Sequence, residues 1–303
     1  MKEFIMLMGL PGCGKSTFAK KLAAEGYHIC SSDAIREETG LTDNDKVFRI
    51  LHGRVISHLK SGENVIYDAT NLSRRRRLST LKEFRRSADR MKIVCFAVPL
   101  PICREQNRMR DPEWIVPEEV QGRMVRSFNA PGMYEGWDEI AIIRSEKPYE
   151  KSVDMHALLS VPQDNPHHTL TIGEHLLSTE AYLKTRMADW RVCEAGRYHD
   201  IGKMLTKQFL DSKGNPSRYA HFYSHENVSA YLFLSEISTG YDPETVSQDD
   251  ILYITNLINW HMRPLHIWDK PENEAAKEKD FSLLGEQMVN DILLLHEADL
   301  SAH

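Results

Sequence analysis

Two groups of residues in this 303-residue chain combine side-chain types and spacing that could carry out chemistry. The first is the run Gly9 to Thr17, Gly-Leu-Pro-Gly-Cys-Gly-Lys-Ser-Thr, which fits the phosphate-binding loop (P-loop) pattern G-x-x-x-x-G-K-[ST]. Its glycines allow backbone N–H groups to turn inward around phosphates, Lys15 is expected to reach the β- and γ-phosphates, and Ser16 is expected to hold Mg²⁺. We therefore predict that ATP or another nucleoside triphosphate (NTP) binds, with Mg²⁺, to Gly9, Gly12, Cys13, Gly14, Lys15, Ser16 and Thr17.

The second group consists of histidines and aspartates in the second half of the chain. They are His175, His199, Asp200, His225, His261 and Asp299. Several continue an apolar helical stripe: His261 follows Leu257 and Ile258, and Asp299 follows Leu295. A carboxylate on a buried face is costly unless it is paired or bound to a metal, and imidazole with carboxylate from separate helices is typical of metal sites. We expect a divalent metal site here, with Mn, Fe, Co, Ni and Zn all compatible with these ligands. Buried hydrogen-bonded pairs are the alternative, His168 and His221 stay open, and His266 is not expected to be a ligand.

The elements that must position these residues follow from the hydrophobic pattern. A short apolar run, Phe4 to Met8, precedes the P-loop, and similar runs alternate with amphipathic stretches to about residue 145. This alternation predicts a parallel sheet covered by helices on both faces. Three prolines between residues 148 and 166 interrupt the pattern, and the chain beyond has helical periodicity alone. We predict an α/β P-loop domain at residues 1–152 and an all-α domain at residues 153–303.

Polar residues at the end of the second predicted strand are further candidates. Asp33 and Arg36 follow that strand at the sheet edge where α/β proteins place functional groups. Asp33 could be a catalytic base, or it could cap the following helix. The run Arg74 to Arg77 could contact nucleic acid or form a solvated surface, and a helix spreads four consecutive residues so widely that at most two can face one ligand. Arg110 could be a lid over the phosphates or an ordinary surface residue.

The ordered set of these motifs resembles the 5′-OH polynucleotide kinase family over nearly all of residues 1–145. The resemblance rests on the P-loop, Ser32-Asp33 with Arg36, Asp68–Leu72, and Asn107–Arg110 followed by Val116-Pro117. It implies that Asp33 is the general base, that Arg36 binds a phosphate of the acceptor, that Arg110 closes over the β- and γ-phosphates, and that Thr70 and Asn71 lie on the acceptor side. One departure concerns Asp68, because Ala69 stands where some members have an acid directly before Thr-Asn-Leu.

The second half resembles the HD phosphohydrolase superfamily over about residues 165–303. The resemblance rests on His175, His199-Asp200-Ile-Gly-Lys203, His225, His261 and Glu297-Ala-Asp299. It implies that His175, His199, Asp200 and Asp299 hold one divalent metal. His225 and His261 would hold a second metal that Asp200 bridges, and Lys203 would contact a phosphate.

Together these features predict a bifunctional nucleic-acid end-processing enzyme. It would phosphorylate 5′-OH ends and hydrolyse 2′,3′-cyclic phosphate or 3′-phosphate ends, with RNA favoured over DNA and a ligase as functional partner. A metabolite or nucleoside kinase fused to a nucleotide phosphohydrolase, and an NTP-switched hydrolase, are the alternatives. Composition favours a cytoplasmic protein: the five cysteines are odd in number and lack metal-ligand spacing, and no apolar run approaches the roughly 20 residues of a membrane span.

Overall fold

The computed structural model of the protein describes residues 2–166 and 169–302, so His168 lies outside the described residues. The chain divides into two compact units. The first consists of Met1–Met124 with Pro131–Tyr149, and the second of Val125–Ala130 with Glu150–His303. The predicted interruption at residues 148–166 falls beside the division at Glu150, whereas nothing in the local pattern marks Val125–Ala130 as belonging with the second unit.

The first unit contains a five-stranded parallel sheet with strand order β2-β3-β1-β4-β5. Its strands are β1 Glu3–Met8, β2 His28–Ser31, β3 Val65–Asp68, β4 Arg90–Ala97 and β5 Glu139–Arg144. The helices are α1 Lys15–Ala23, α2 Ser32–Thr39, α3 Asn44–Lys60, α4 Arg74–Phe84, α5 Leu100–Arg108 and α6 Glu118–Arg126. The predicted parallel sheet with flanking helices is confirmed, and it is the arrangement of a P-loop kinase fold.

Burial explains why these segments adopt these structures. Residues 4–8 of β1 and all of β3 are buried, as expected for central strands covered on both faces. Helix α3 buries one residue every four positions, namely Val47, Leu51, Val55 and Leu59. Strands β1, β2 and β3 end at Met8, Ser31 and Asp68, and because they are parallel these ends meet at one edge of the sheet.

The second unit is mainly helical. Its helices are α7 Ile172–Thr185, α8 Trp190–Tyr198, α9 Lys203–Thr206, α10 His225–Leu232, α11 Gln248–Trp260, α12 Glu274–Leu284 and α13 Glu286–Ser301. Two of them begin with a capping box, formed by Thr171 with Glu174 in α7 and by Ser247 with Asp250 in α11. No helix in the described part of the chain has the length and apolar character needed to span a membrane.

The second unit departs from the all-α prediction at one hairpin. Strands β6 Gln208–Leu210 and β7 Pro216–His221 pair in antiparallel fashion. The turn between them is stabilised by Asp211, whose carboxylate accepts hydrogen bonds from the backbone N–H groups of Lys213 and Asn215, both at 2.8 Å. Gly214 supplies the left-handed backbone at φ 83°. A two-strand hairpin of this size leaves too short an alternating pattern to stand out from its helical surroundings.

Candidate functional site

The P-loop of the first unit wraps around the Lys15 side chain. The Lys15 ammonium group donates hydrogen bonds to the carbonyl oxygens of Gly9, at 3.0 Å, and Leu10, at 2.8 Å. Gly12 and Gly14 have φ values of 82° and 97°. A Cβ atom at Gly12 would lie 2.2 Å from the carbonyl oxygen of Cys103, so a larger residue cannot replace it without a backbone shift. The loop conformation therefore depends on glycine at these two positions.

Ser16 and Asp68 meet beside the loop. The Ser16 hydroxyl donates a hydrogen bond of 3.2 Å to the Asp68 carboxylate, which stands at the end of β3. Burial raises the pKa of Asp68, while the charge of Lys15 and the Ser16 hydrogen bond oppose the increase. A hydroxyl and a carboxylate are oxygen donors of the kind Mg²⁺ prefers beside a triphosphate. These two side chains fit an Mg²⁺ site.

Asp33 and two arginines line the same cavity as the loop, which has a volume of about 430 Å³. The Asp33 carboxylate is 3.8 Å from Nη1 of Arg36 and 3.4 Å from Nη2 of Arg110. The side chain of Asp33 is 58% exposed. The cap of α2 is Ser31, whose side chain accepts a hydrogen bond from the backbone N–H of Ala34. Asp33 is thus available to the cavity, and the helix does not require it as a cap.

Asn44 and Phe48 line the same cavity beside Arg36 and Arg76, and no sequence motif singles them out. Asn44 accepts a hydrogen bond of 2.6 Å from Arg36, and Phe48 lies beneath the Arg76 guanidinium, 5.9 Å from ring centre to Cζ. Both Asn44 and Phe48 lie in the first two turns of α3, one and five residues after the Asp43 cap. Asn44 and Phe48 could be identified as cavity residues only from the structure, in which α3 passes the edge of the sheet. Together with Arg36 and Arg76, they supply an aromatic ring, an amide and two guanidinium groups to the cavity lining.

Of three other residues singled out in the sequence, Thr70 lines the cavity, whereas Asn71 and Arg77 are buried in the protein. Asn71 donates a 2.7 Å hydrogen bond to the Leu7 carbonyl, with its own backbone in the left-handed region at φ 49°. Asn71 therefore fixes the loop after β3. Arg77 is fully buried and forms a bidentate pair with Glu135, so within the arginine run it belongs to the core, while Arg76 faces the cavity.

The second unit brings the predicted histidines and aspartates together in two groups that share Asp200. One group comprises His175, His199, Asp200 and Asp299, and the other comprises Asp200, His225 and His261. His175 Nε2 lies 3.3 Å from Asp200 Oδ2 and 3.0 Å from Asp299 Oδ1. On the other side, Asp200 Oδ1 is 2.9 Å from His225 Nε2 and 3.6 Å from His261 Nε2. Five helical segments supply these side chains, either from within a helix or at its end.

The histidines are oriented through their second ring nitrogens. Nδ1 of each lies 2.7 to 2.8 Å from a backbone carbonyl oxygen. Because a carbonyl only accepts, each Nδ1 carries a proton and each ring turns its Nε2 toward the cluster. The Nε2 atoms of His175 and His199 are 3.2 Å apart, and those of His225 and His261 are 3.3 Å apart. Two Nε2 atoms at these distances, beside carboxylates, need a cation between them, which is either a proton or a metal ion.

The electrostatics of the cluster agree with this requirement. Burial works against ionisation of Asp200, yet Lys203 and His199 hold its pKa well below the usual range. Burial lowers the pKa of His175, but hydrogen bonds to Asp200 and Asp299 outweigh it and raise the value to about 9. Oδ1 of Asp200 is buried and accepts no hydrogen bond of good geometry from the described residues. An orphaned carboxylate oxygen and four oriented imidazoles fit a divalent transition metal.

Lys203 lies at the inner end of a second cavity, of about 840 Å³, that opens beside the cluster. Its ammonium group is 2.6 Å from Asp200 Oδ2 and 5.3 Å from the ring centre of Phe222. His221 and His266 also line this cavity, outside both groups of candidate ligands.

A third set of candidate ligands, His28, His58 and Glu63, occurs in the first unit. The two imidazoles are stacked with centroids 4.5 Å apart and an interplanar angle of 19°. The lone pair of a ring nitrogen lies in the plane of its ring, so two nearly parallel rings do not point at one ion. Glu63 pairs with both rings, which accounts for the arrangement without a metal.

Comparison with known proteins finds one matching family model and several similar chains. A family model described as an AAA domain matches residues 4–131. The L-seryl-tRNA(Sec) kinase of Methanococcus maripaludis is 27% identical over 182 residues, covering 56% of this chain and 69% of that protein. A chain in the structure of the Pnkp1/Rnl/Hen1 complex is 28% identical, with a TM-score of 0.31, and covers 33% of this chain and 37% of its own. A fungal RNA kinase is 16% identical, with a TM-score of 0.37, and covers 50% of this chain and 78% of its own.

The chain therefore spans little more than a third of the Pnkp1/Rnl/Hen1 chain that it matches. Its parallel sheet and its P-loop make the first unit an α/β P-loop domain. The family match ends at residue 131. The HD resemblance of the second unit stays a prediction.

Proposed function

We propose that the protein processes both ends of a broken nucleic-acid strand, with RNA as the favoured substrate. The first unit would phosphorylate a 5′-OH end with an NTP, and the second would hydrolyse a 2′,3′-cyclic phosphate or a 3′-phosphate. The observation that carries the kinase half is the convergence of Asp33, Arg36 and Arg110 on the cavity of the P-loop. A domain that only switched on NTP binding would not need a carboxylate and an anion-binding guanidinium on the acceptor side.

The kinase step follows from these positions. Asp33 would accept the proton of the attacking hydroxyl while the new bond from oxygen to the γ-phosphorus forms and the bond to the β-phosphate oxygen breaks, releasing a nucleoside diphosphate. Lys15 and Arg110 would offset the charge on the phosphoryl oxygens. Ser16 and Asp68 would hold Mg²⁺, which neutralises β- and γ-phosphate charge when bound.

We call the part of the cavity lining formed by Arg36, Asn44, Phe48 and Arg76 the acceptor wall. Its side chains support an acceptor that carries a phosphate and a ring. Arg36 and Arg76 offer planar guanidinium groups, which suit phosphate oxygens, and Phe48 offers a face on which a base can stack. A relative named as an L-seryl-tRNA(Sec) kinase is consistent with an alcohol attached to RNA. A small metabolite alcohol is the alternative acceptor, but Arg36, Arg76 and Phe48 would then have no group of the substrate to contact.

The hydrolase half is carried by the histidine–aspartate cluster. His175, His199, Asp200 and Asp299 would hold one divalent metal, and Asp200, His225 and His261 a second. Such a metal, when bound, supplies a water of lowered pKa and polarises a phosphoester oxygen. Lys203, which is buried and directed at Asp200, would neutralise charge on the phosphoryl group that enters the neighbouring cavity. Opening the cyclic phosphate leaves a phosphomonoester on the ribose, and hydrolysis of a 3′-phosphomonoester releases phosphate and leaves a 3′-OH. A 5′-phosphate and a 3′-OH are the ends that a strand-joining ligase consumes.

The kinase proposal is tested by following transfer of the γ-phosphate from labelled ATP and other NTPs. The acceptors are 5′-OH RNA, 5′-OH DNA, a nucleoside, seryl-tRNA and a sugar acid, used in parallel. We expect label on RNA, loss of transfer in Asp33→Asn, and unchanged transfer in Asp45→Asn, an exposed carboxylate outside the cavity. Label on the small alcohols alone would select the metabolite kinase, and label on no acceptor would refute the kinase.

The hydrolase proposal is tested on RNA ending in a 2′,3′-cyclic phosphate or a 3′-phosphate, after loading with each candidate metal. Asp200→Asn is expected to abolish phosphate release or ring opening while 5′ phosphorylation continues. If wild-type protein hydrolyses nucleotides but neither RNA end, the second unit is a nucleotide phosphohydrolase. If Asp200→Asn removes both activities, the two units do not act separately.

A further inference from the structure

The cavity beside the histidine–aspartate cluster has an aromatic rim that neither proposed reaction uses. The rim consists of His221 and Tyr223, which line the cavity, and of Tyr219, which precedes His221 by two residues in β7 and lies outside the lining. Tyr219 is 44% exposed and Tyr223 is 37% exposed, which is unusual for side chains whose rings stabilise a protein when buried. Ala220 between them is fully buried, so Tyr219 and His221 project from the same face of the strand.

The rim is held in position by its own contacts. The His221 ring is fixed through Nε2, which lies 2.9 Å from the Ser217 hydroxyl, and the Tyr223 ring stacks on it with a centroid distance of 5.4 Å and an interplanar angle of 5°. Ser224 then adopts the left-handed region at φ 62°, which is unfavourable for a residue with a side chain. This turn leaves Tyr223 at the surface while His225, two residues later, is buried in the cluster.

Cations accompany the aromatic rings. The Arg218 guanidinium lies 5.7 Å from the centre of the Tyr219 ring, and within the described ranges it forms no ion pair. At the inner end of the cavity, Lys203 lies over the ring of Phe222. Flat aromatic surfaces flanked by cations are the elements with which proteins bind single-stranded nucleic acids, through base stacking and contacts to phosphates.

We propose that Tyr223 and Tyr219 form a stacking track for the last nucleotides of a single-stranded 3′ end. The terminal base stacks on Tyr223, which lines the cavity, and its 3′-phosphoryl group enters toward Lys203 and the cluster. The penultimate base stacks on Tyr219, two residues beyond His221 along β7, and Arg218 contacts the phosphodiester between the two nucleotides. The proposal rests on the hydrolase activity proposed above, and it selects a polymer strand over a free nucleotide as the substrate of that site.

Binding is measured by fluorescence anisotropy on an eight-nucleotide RNA with a 3′-phosphate and a fluorophore at its 5′ end, so that no 5′-OH is available to the first unit. We expect Tyr223→Ala and Tyr219→Ala each to weaken binding about 5- to 100-fold. Tyr223→Phe, which keeps the ring, and Trp190→Ala, an exposed aromatic residue outside the cavity, should bind as wild type. Arg218→Ala should lower the slope of log K against log salt by about one.

Hydrolysis distinguishes this proposal from the one on which it rests. Tyr219→Ala should raise KM for the cyclic-phosphate RNA but leave KM for the 2′,3′-cyclic mononucleotide unchanged, whereas Tyr223→Ala should raise both. Wild-type binding by both alanine variants would overturn the stacking track whether or not hydrolysis occurs. Weakened binding in a protein that hydrolyses neither RNA end would keep the track and overturn the proposed hydrolase.

Discussion

Replacing Arg77 by methionine should destabilise the first unit strongly, although Arg77 stands in a run of four arginines that suggests a surface. The Arg77 guanidinium donates to Glu135 through Nε at 2.9 Å and Nη2 at 2.6 Å, and both side chains are 0% exposed. Its Nη1 also donates to the carbonyl oxygens of Asn71 and Leu72, at 3.1 and 3.0 Å. Burial lowers the pKa of Arg77, but Glu135 more than offsets this effect, so the guanidinium group stays charged.

The expected cost follows from the groups that lose their partner. Removing one member of a buried ion pair costs about 3–5 kcal/mol, because the remaining charge stays buried. Glu135 would keep the Trp137 indole N–H at 3.1 Å as a donor, which reduces the cost without removing it. Two carbonyl groups losing a hydrogen bond add about 1 kcal/mol each. We expect a loss of about 4–6 kcal/mol, a large part of the 5–15 kcal/mol by which domains are typically stable.

The measurement is hydrogen exchange, followed by mass spectrometry, of peptides from β1 and β4 in the full chain. Arg76→Met is the matched control, since Arg76 is exposed, and it should change stability by less than about 0.5 kcal/mol. The double variant Arg77→Met/Glu135→Met should recover several kcal/mol relative to Arg77→Met alone, because no unpaired charge is left. A loss below about 1 kcal/mol in Arg77→Met, or equal losses at Arg76 and Arg77, would refute the reasoning.

Three further predictions concern the two sites and pH. Asp33→Asn should lower the rate of phosphoryl transfer about 10²- to 10⁴-fold with NTP affinity unchanged, as measured by steady-state kinetics and calorimetry; an unchanged rate would remove Asp33 as the base. A divalent metal at 100 times its Kd should stabilise metal-stripped wild type by about 2.7 kcal/mol in urea unfolding but should not stabilise Asp200→Asn; equal stabilisation of both would place the metal elsewhere. A hydrogen bond from Arg85, with another from the Met91 N–H, lowers the pKa of Asp138 to about 2. Because this lies below the unfolded value of about 3.9, the contribution is present above pH 4 and is lost as pH falls toward 2. Since the pair is partly exposed, the loss should be about 1 kcal/mol in urea titrations at pH 6 and pH 2, and it should be absent in Asp138→Asn.

The sequence predicts features that depend on neighbouring residues better than contacts between residues far apart in the chain. The P-loop, the alternation of strands and helices, and the apolar stripe of α3 are properties of neighbouring residues, and the structure contains them. The pairing of Arg77 with Glu135 joins residues 58 positions apart, so the arginine run gave no sign that one member is buried. Likewise, Ser31 rather than Asp33 caps α2, a choice that depends on where the strand ends within one or two residues.

The candidate ligands of the second unit were identifiable for a different reason. A histidine or aspartate on the apolar face of a helix is unusual because burying it is costly. Such a residue can be recognised from the sequence without knowing which helices pack together. The aromatic rim and the acceptor wall have no such signal. Tyr223, Phe48 and Asn44 have no distinctive sequence context, and only the fold shows that they line cavities. Sequence therefore indicated the charged chemistry more readily than the surfaces that select a substrate.

Charge balance distinguishes the Arg77–Glu135 pair from the histidine–aspartate cluster. Arg77 and Glu135 sum to zero, and their hydrogen bonds satisfy each other, so the pair is complete as a structural element. The cluster holds the carboxylates of Asp200 and of Asp299, which is 17% exposed, against one ammonium group, Lys203, and four imidazoles whose Nδ1 atoms face carbonyl oxygens. Hydrogen bonds to these carboxylates outweigh burial and raise the pKa of His175 to about 9. The cluster therefore needs one further cation, either a proton on His175 or a metal ion, whereas the arginine pair is already neutral.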